Sequence, residues 1–253
     1  MILIKTKAEI EKMRAGGRIL AAVLEKVAVA VKPGVSTGEL NNLAETLLKQ
    51  QGATPSFLGY GRERGTPYPA SLCTSVNEAV VHAIPSADHI LQEGEIIGLD
   101  IGCWYEGLCT DMAVTVPVGK VSAKALKLIK ITKLSLAEGL RQVRAGTYIG
   151  DIGSAVQNFV EANGFSVVRQ LTGHGVGKAV HEEPAVPNFG KKNTGIKLEA
   201  GMTIAIEPMV NEGSYKIKVL TDGWTVVTAD KSLSAHFEHT VLVTDNGYEI
   251  LTQ

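Results

Sequence analysis

The chain is poor in cysteine, in charge surplus, and in long apolar runs, and each absence excludes something. Its three cysteines, Cys73, Cys103 and Cys109, form no Cys-x-x-Cys pair and no even set. A disulfide framework is thereby excluded and a reducing compartment favoured, with Cys103 and Cys109 expected as buried free thiols. Lys plus Arg number 25 against 26 acidic residues, for a net charge of -1. No general attraction to nucleic acid or anionic membrane follows, so the acidic residues matter by position. The start, MILIKTKAEIEKMRAGG, turns polar after four residues and shows no apolar h-region or cleavage site. No uncharged stretch approaches the roughly 18 apolar residues that a membrane span needs. A soluble, cytoplasmic protein without nucleic-acid or membrane partners is the expectation.

What is present reads as a packed globular chain. Its 253 residues are 45% hydrophobic and 20% charged, ordinary usage for a buried core. Thr6 to Glu9 has capping-box spacing, and Ile10, Met13, Ile19, Leu20, Val23, Leu24 and Val27 recur at helical intervals. Lys32-Pro33-Gly34 stops that helix. Ser36 to Glu39 opens a second one, which runs to Gln51 and ends at Gly52. Strands are predicted over Glu95–Cys103 and Cys109–Val116, joined across Trp104–Leu108, and a long helix from about Ser122 to Val143.

From there the pattern recurs. KPGVSTGELNNLAETLLKQQG (32–52) aligns without a gap on RAGTYIGDIGSAVQNFVEANG (144–164). His82-Ala-Ile-Pro85 is echoed by His181-Glu-Glu-Pro184, and LQEGEIIGLD (91–100) by LEAGMTIAIE (198–207), which lays Asp100 on Glu207. Asp111, opening DMAVTV, is echoed by Glu238, opening EHTVLV. Four echoes in one order argue for two related halves, about 1–119 and 120–253, within one domain of 1–253. The predicted architecture is α+β: two pseudo-twofold-related halves, with helices covering a curved, mostly antiparallel sheet around one cleft.

Four acids then stand at matched strand ends. Asp100 closes the apolar run Ile96-Ile97-Gly98-Leu99, and a buried carboxylate there costs several kcal/mol unless paired or bound to a cation. Asp111 lies 11 residues on, and in a hairpin that odd separation puts both side chains on one face. Two carboxylates so placed favour a shared proton or a metal. Glu207 closes Met202-Thr203-Ile204-Ala205-Ile206, and Glu238 precedes Val241-Leu242-Val243. Four acids forced toward one cleft cannot all stay unpaired, which tips the balance to metal and suggests two cations. His174 sits in Gly173-His174-Gly175-Val176-Gly177, where glycines leave an imidazole unshielded. GHGVG resembles a phosphate-binding loop only weakly, because no helix pattern opens after it. His82 and His181 read as substrate-facing groups able to donate to a polarised carbonyl or amide.

Five segments carry a resemblance: CTSVNEAVVHAIP (73–85), LDIGCWYEGLCTDMAVT (99–115), LTGHGVGKAVHEEP (171–184), TIAIEPM (203–209) and SLSAHFEHTVLVT (232–244). In order and spacing, over nearly all of the chain, the sequence resembles the type I methionine aminopeptidases of the pita-bread fold. The resemblance implies a metalloprotease with five metal ligands, Asp100, Asp111, His174, Glu207 and Glu238, holding two divalent ions. Co, Mn, Fe(II) and Zn all suit four carboxylates with one imidazole. It implies removal of the initiator methionine from newly made proteins and short peptides, by attack of a dimetal-bridging hydroxide on the first peptide bond. In that reading Glu207 handles the proton of the bridging water, His82 contacts the scissile amide and His181 steadies its carbonyl oxygen. The methionine pocket draws on Tyr60, Tyr68, Cys73 and Trp224, while Asn77 and Ser234 match positions that help hold a monovalent cation. Nascent polypeptide N-termini are the implied partners, with transient ribosome association and a monomeric enzyme.

The chain also departs from the family pattern. Val180 stands where many members carry Phe, His236 where Gln is frequent, and Gly61-Arg-Glu-Arg-Gly-Thr-Pro67 is longer than usual beside Phe57 and Tyr60. The alternative is an X-Pro aminopeptidase or dipeptidase on the same fold. Those relatives usually carry an added N-terminal domain, whereas this chain opens on the catalytic-type helix. Type II enzymes insert a helical segment between the last two ligands, and 31 positions from Glu207 to Glu238 leave no room for one. A binding module or creatinase-like hydrolase on this scaffold would lack some of the five ligands.

Overall fold

The computed structural model describes residues 2–253, so position 1 of the expected domain lies outside the described residues. Thr6 caps α1 (Lys7–Ala30): its Oγ1 accepts from Glu9 N at 3.3 Å, and Glu9 Oε2 accepts from Thr6 N at 2.7 Å. Ser36 and Glu39 make the same reciprocal pair at 3.1 and 2.7 Å before α2 (Thr37–Gln50), and Gly52 follows with φ +71°. These are the two capping boxes that the spacing predicts.

Short β1 (Thr54–Pro55), β2 (Cys73–Val76) and β3 (Ala79–Val81) lead into a long hairpin, β4 (Ile96–Tyr105) and β5 (Leu108–Pro117). Its turn needs left-handed backbone at both central residues, and Glu106 (φ +47°) and Gly107 (φ +81°) supply it. Next come α3 (Ala123–Leu140) and α4 (Ile149–Ala162). The α3 helix stops short of Val143 because Gln142 N and Val143 N bond to Gly139 O and Leu140 O, tightening the last turn. β6 (Ser166–Val167), β7 (Thr172–Gly175), β8 (Glu182–Pro187), β9 (Thr203–Ile206) and β10 (Met209–Asn211) follow. β11 (Ile217–Val219), β12 (Val226–Thr228), β13 (Ser234–His236), β14 (Glu238–Thr244) and β15 (Gly247–Ile250) complete the chain.

The main sheet has nine strands in the order β1-β4-β5-β14-β9-β7-β8, with β2 added on β4 and β15 on β14. Among the described residues every strand pair is antiparallel. Strand parity decides which side is greasy. Ile97, Leu99, Ile101 and Cys103 of β4, with Met112, Val114 and Val116 of β5, pack against Leu20, Leu24, Leu40 and Leu48 of α1 and α2. Ile204 and Ile206 of β9, with Val241 and Val243 of β14, pack against Leu136, Leu140, Ile149 and Ile152 of α3 and α4. The helices therefore cover one face of a curled sheet, the α+β arrangement expected. Asp100, Asp111, Glu207 and Glu238 have the opposite parity and point away from both helix layers.

Candidate active site

A cavity of about 250 Å³ opens on the face of the sheet that the helices leave free. Asp100, Asp111, His174, Glu207 and Glu238 lie together along it. In the hairpin Asp100 pairs with Ala113 and Asp111 with Gly102, so the two acids are diagonal neighbours on one face. Glu238 pairs with Ala113 across β5 and β14, which brings the acid of β14 beside the first pair. Single ligand atoms of Asp111, His174 and Glu238 lie within 4.8 Å of one another, and Glu207 Oε1 is 3.5 Å from His174 Nε2.

His174 is placed by its two glycine neighbours. A Cβ at Gly173 would meet Ala205 O at 2.3 Å, and one at Gly175 would meet Glu183 O at 2.3 Å. Strand β7 thus runs against β9 and β8 closer than any side chain permits. Nδ1 of His174 lies 2.9 Å from the carbonyl of Gly175. That oxygen can only accept, so Nδ1 carries the proton and Nε2 presents its lone pair to the acids.

The electrostatics of the acids test whether cations fit. Among the described residues none of the four carboxylates is ion-paired with a lysine or arginine, and Asp100 Oδ1 and Glu238 Oε1 have no hydrogen-bond partner. Burial, then Asp111 and Glu207, push Asp100 well above the usual carboxylate range. Burial, then Glu207, raise Asp111 to about 8, and burial raises Glu207 to about 8. Glu238 is driven well up by burial and then by Asp111. Burial, then His181, hold His174 down to about 3, so the imidazole is neutral. Carboxyl groups crowded together without counter-charge beside a neutral imidazole are the donor set of a divalent cation site. The residues fit.

The structure brings the other predicted residues around this floor. Tyr60, Tyr68, Cys73, His82, His181 and Trp224 all line the cavity, as does Phe57. Tyr68 Oη donates to Ala83 O at 3.0 Å, and its ring meets Trp224 edge-on at 5.3 Å. Cys73 faces Asp100 across β2 and β4, and burial, then Asp100, push its thiol far up, so it is a neutral apolar wall. His82 has left-handed backbone (φ +60°), and burial, then His181, lower it to about 4. His181 is exposed; its ring lies 4.2 Å from that of His174 and its Nδ1 2.6 Å from Tyr60 Oη.

The 61–67 insertion does not displace the pocket. It leaves through Gly61 (φ +77°), makes a 3-10 turn over Arg62–Arg64 and returns through Gly65 (φ +83°). Gly59 N to Tyr68 O and Tyr68 N to Tyr60 O, both 2.8 Å, close its neck, so the tyrosines stay side by side. Val180, which stands where many members carry Phe, is outside the lining and packs in one cluster with Phe57, Tyr68 and Cys73. Asn77 and Ser234 are adjacent but outside the lining: Ser234 N donates to Asn77 O at 2.9 Å, and Ser234 Oγ lies 2.9 Å from Asn211 Oδ1.

Sequence reasoning missed some contributors. Val81, Gln170 and Met209 also line the cavity. Gln170 adjoins the glycine-flanked histidine motif and Met209 follows Glu207, which was the available signal. His236, noted only as a departure, places Nε2 3.4 Å from Glu207 Oε2.

Comparison with known proteins agrees with this geometry. Residues 11–245 match the profile of Metallopeptidase family M24. The chain is 49% identical over 253 residues to a methionine aminopeptidase of Clostridium perfringens, covering 100% of this chain and 99% of that one. It is 47% identical to methionine aminopeptidase 1 of Bacillus subtilis, covering 100% of both chains. The solved methionine aminopeptidase of Thermotoga maritima superposes with a TM-score of 0.96 at 43% identity, covering 100% of each chain. The Xaa-Pro dipeptidase of Bacillus anthracis shares the fold alone, at TM-score 0.76 and 24% identity over 99% of this chain and 62% of that one. The chain belongs to metallopeptidase family M24 and, within its pita-bread hydrolases, to the methionine aminopeptidases.

Proposed function

We propose that the protein removes the N-terminal methionine from newly made proteins and short peptides, within one catalytic domain built of two related halves. The observation that carries this is a floor of four carboxyl groups, three buried and one half-buried, with no lysine or arginine partner among the described residues, beside one neutral imidazole in an aromatic-lined cavity. Asp100, Asp111, His174, Glu207 and Glu238 would hold two divalent cations of the Co, Mn, Fe(II) or Zn type. When bound, such ions supply Lewis acidity and a water acidic enough to ionise near neutral pH.

The chain's own residues supply the rest. Occupied by such ions, the floor would offer a coordination position to a free α-amino group, which would explain trimming of one residue from an end instead of internal cleavage. Tyr60, Tyr68, Cys73 and Trp224 surround the side chain; aromatic edges and faces suit a polarisable thioether. Tyr68 offers its ring, because its hydroxyl is engaged by Ala83 O. His82, a neutral imidazole, can accept the scissile amide N–H, and His181 can donate to the carbonyl oxygen. Glu207 takes up a proton on one carboxylate oxygen and delivers it to the leaving amine. A pair of imidazoles, Nε2 of His174 and Nε2 of His236, brackets its two oxygens at 3.5 and 3.4 Å.

The three free thiols, all buried, support a cytoplasmic enzyme that meets nascent chains. Among the described residues no helix is long and apolar enough to cross a membrane. The test compares Met-Ala-Ser, Leu-Ala-Ser and Gly-Pro peptides with metal-loaded and chelated enzyme. Metal-dependent release of methionine alone is expected, and cleavage only before proline would sink the reading in favour of an X-Pro peptidase.

A further inference from the structure

Lys5 is a lysine inside the molecule. Its side chain keeps 1% of its exposure and that of Glu182 5%, with Nζ 2.5 Å from Oε2. A buried ammonium is tolerated only when paired, and the partner here is 177 positions away in the chain. The other oxygen of Glu182 accepts the backbone N–H of Ala179 at 3.1 Å and that of Lys178. One carboxylate therefore ties both ends of the 178–182 turn to one cation.

The N-terminal arm is itself fixed: Lys5 N donates to Gly201 O at 2.9 Å, just before β9. The backbone yields to the lysine stem at Gly177 (φ +147°), where a Cβ would come within 2.5 Å of Lys5 Cε. Glu9 of α1 holds the turn from outside, its Oε1 2.9 Å from Lys178 Nζ. Neither Lys5 nor Glu182 lines the cavity, yet His181 is the residue next to Glu182. The ring of His181 is gripped at Nδ1 by Tyr60 Oη, 2.6 Å away.

We propose that Lys5 is a positioning residue for His181: through Glu182 it locks the 178–182 turn so that the imidazole stands over the site. The proposal rests on the substrate-facing role of His181. Tyr60 holds the ring at Nδ1, the turn sets where the Cα of His181 stands, and catalysis needs the two together to keep one orientation.

The test is a cycle in metal-loaded enzyme acting on Met-Ala-Ser. The double variant Lys5→Met/Glu182→Gln removes both charges together, so no lone ion is left buried, and glutamine still accepts from Lys178 N and Ala179 N. It should lower kcat roughly tenfold to hundredfold, leaving KM and the calorimetric affinity for Mn(II) within about twofold. In a His181→Ala background the same change should leave kcat within about twofold, a non-additivity that mere destabilisation would not produce. Lys5→Arg, which keeps the cation, should recover part of the rate. Wild-type kcat in the double variant, an equal fall in the His181→Ala background, or failure of the double variant to fold each overturns the proposal. Wild-type kcat in His181→Ala alone overturns the role of His181 first, and the proposal with it.

Discussion

The floor and the wall of the cavity are built by different rules. The floor stands on regular strands: Asp100, Asp111 and Glu238 take their direction from register and parity, and Glu207 from the end of β9. The wall stands on loops: Tyr60 and Tyr68 flank an excursion, and Trp224 sits in the turn between β11 and β12. A strand cannot slip by one residue without turning every carboxylate into the helix layer. A loop can lengthen by several residues if its neck stays closed. In the proposed function, chemistry sits where geometry is rigid, and substrate fit where length can vary.

The largest effect should come from the floor. Glu207→Gln keeps the shape but removes the proposed proton carrier, and kcat should fall by about 10²–10⁴-fold or more with circular dichroism unchanged. Normal turnover in that variant would remove Glu207 from the mechanism. Next is the close approach that seats His174. Gly173→Ala puts a methyl 2.3 Å from Ala205 O, against backbone that cannot move aside. A loss of roughly 2–4 kcal/mol or failure to fold is expected, read by urea denaturation, and a neutral result would break the claim that β7 is sterically constrained.

A smaller, graded effect should appear with pH in metal-free enzyme. Asp111 and Glu207 are raised by burial to about 8. Their folded forms hold protons that the unfolded chain has released, so their contribution is present at low pH and lost as pH climbs toward 8. Between pH 5 and 8 the chelated protein should melt at progressively lower temperature, and Mn(II) or Co(II) should reverse the trend. A flat profile in chelator would show the acids to be compensated otherwise. The smallest effect belongs to the wall. Replacing residues 62–66 by a single glycine should leave Mn(II) affinity unchanged and shift stability by less than about 1 kcal/mol, with any change confined to KM for methionyl peptides. A collapse of metal affinity would erase the distinction between floor and wall.

The same distinction explains what was legible in the sequence. Alternating apolar residues around Asp100 and Asp111, and the echo in Glu207 and Glu238, project the floor, because strand parity is local information. The capping boxes at Thr6 and Ser36 fix two helix starts for the same reason. The neck hydrogen bonds between Tyr60 and Tyr68 span seven inserted residues of no regular pattern, so the sequence left their placement open. The pairing of Lys5 with Glu182 has no local signature at all. It depends on the N-terminal arm meeting a turn 177 positions further along the chain, which only the folded sheet arranges. The apolar period runs past the end of α3 because Val143, buried in the tight turn after the helix, continues it.

The raised carboxylates have a consequence for how the enzyme becomes active. A site that folds holding protons does not simply capture a cation from solution. It performs an ion exchange, discarding those protons as the metal enters. Apparent metal affinity should therefore climb steeply with pH, and the heat of loading should depend on the ionisation enthalpy of the buffer. In a growing cell, the fraction of this enzyme in working order would follow internal acidity as well as metal supply.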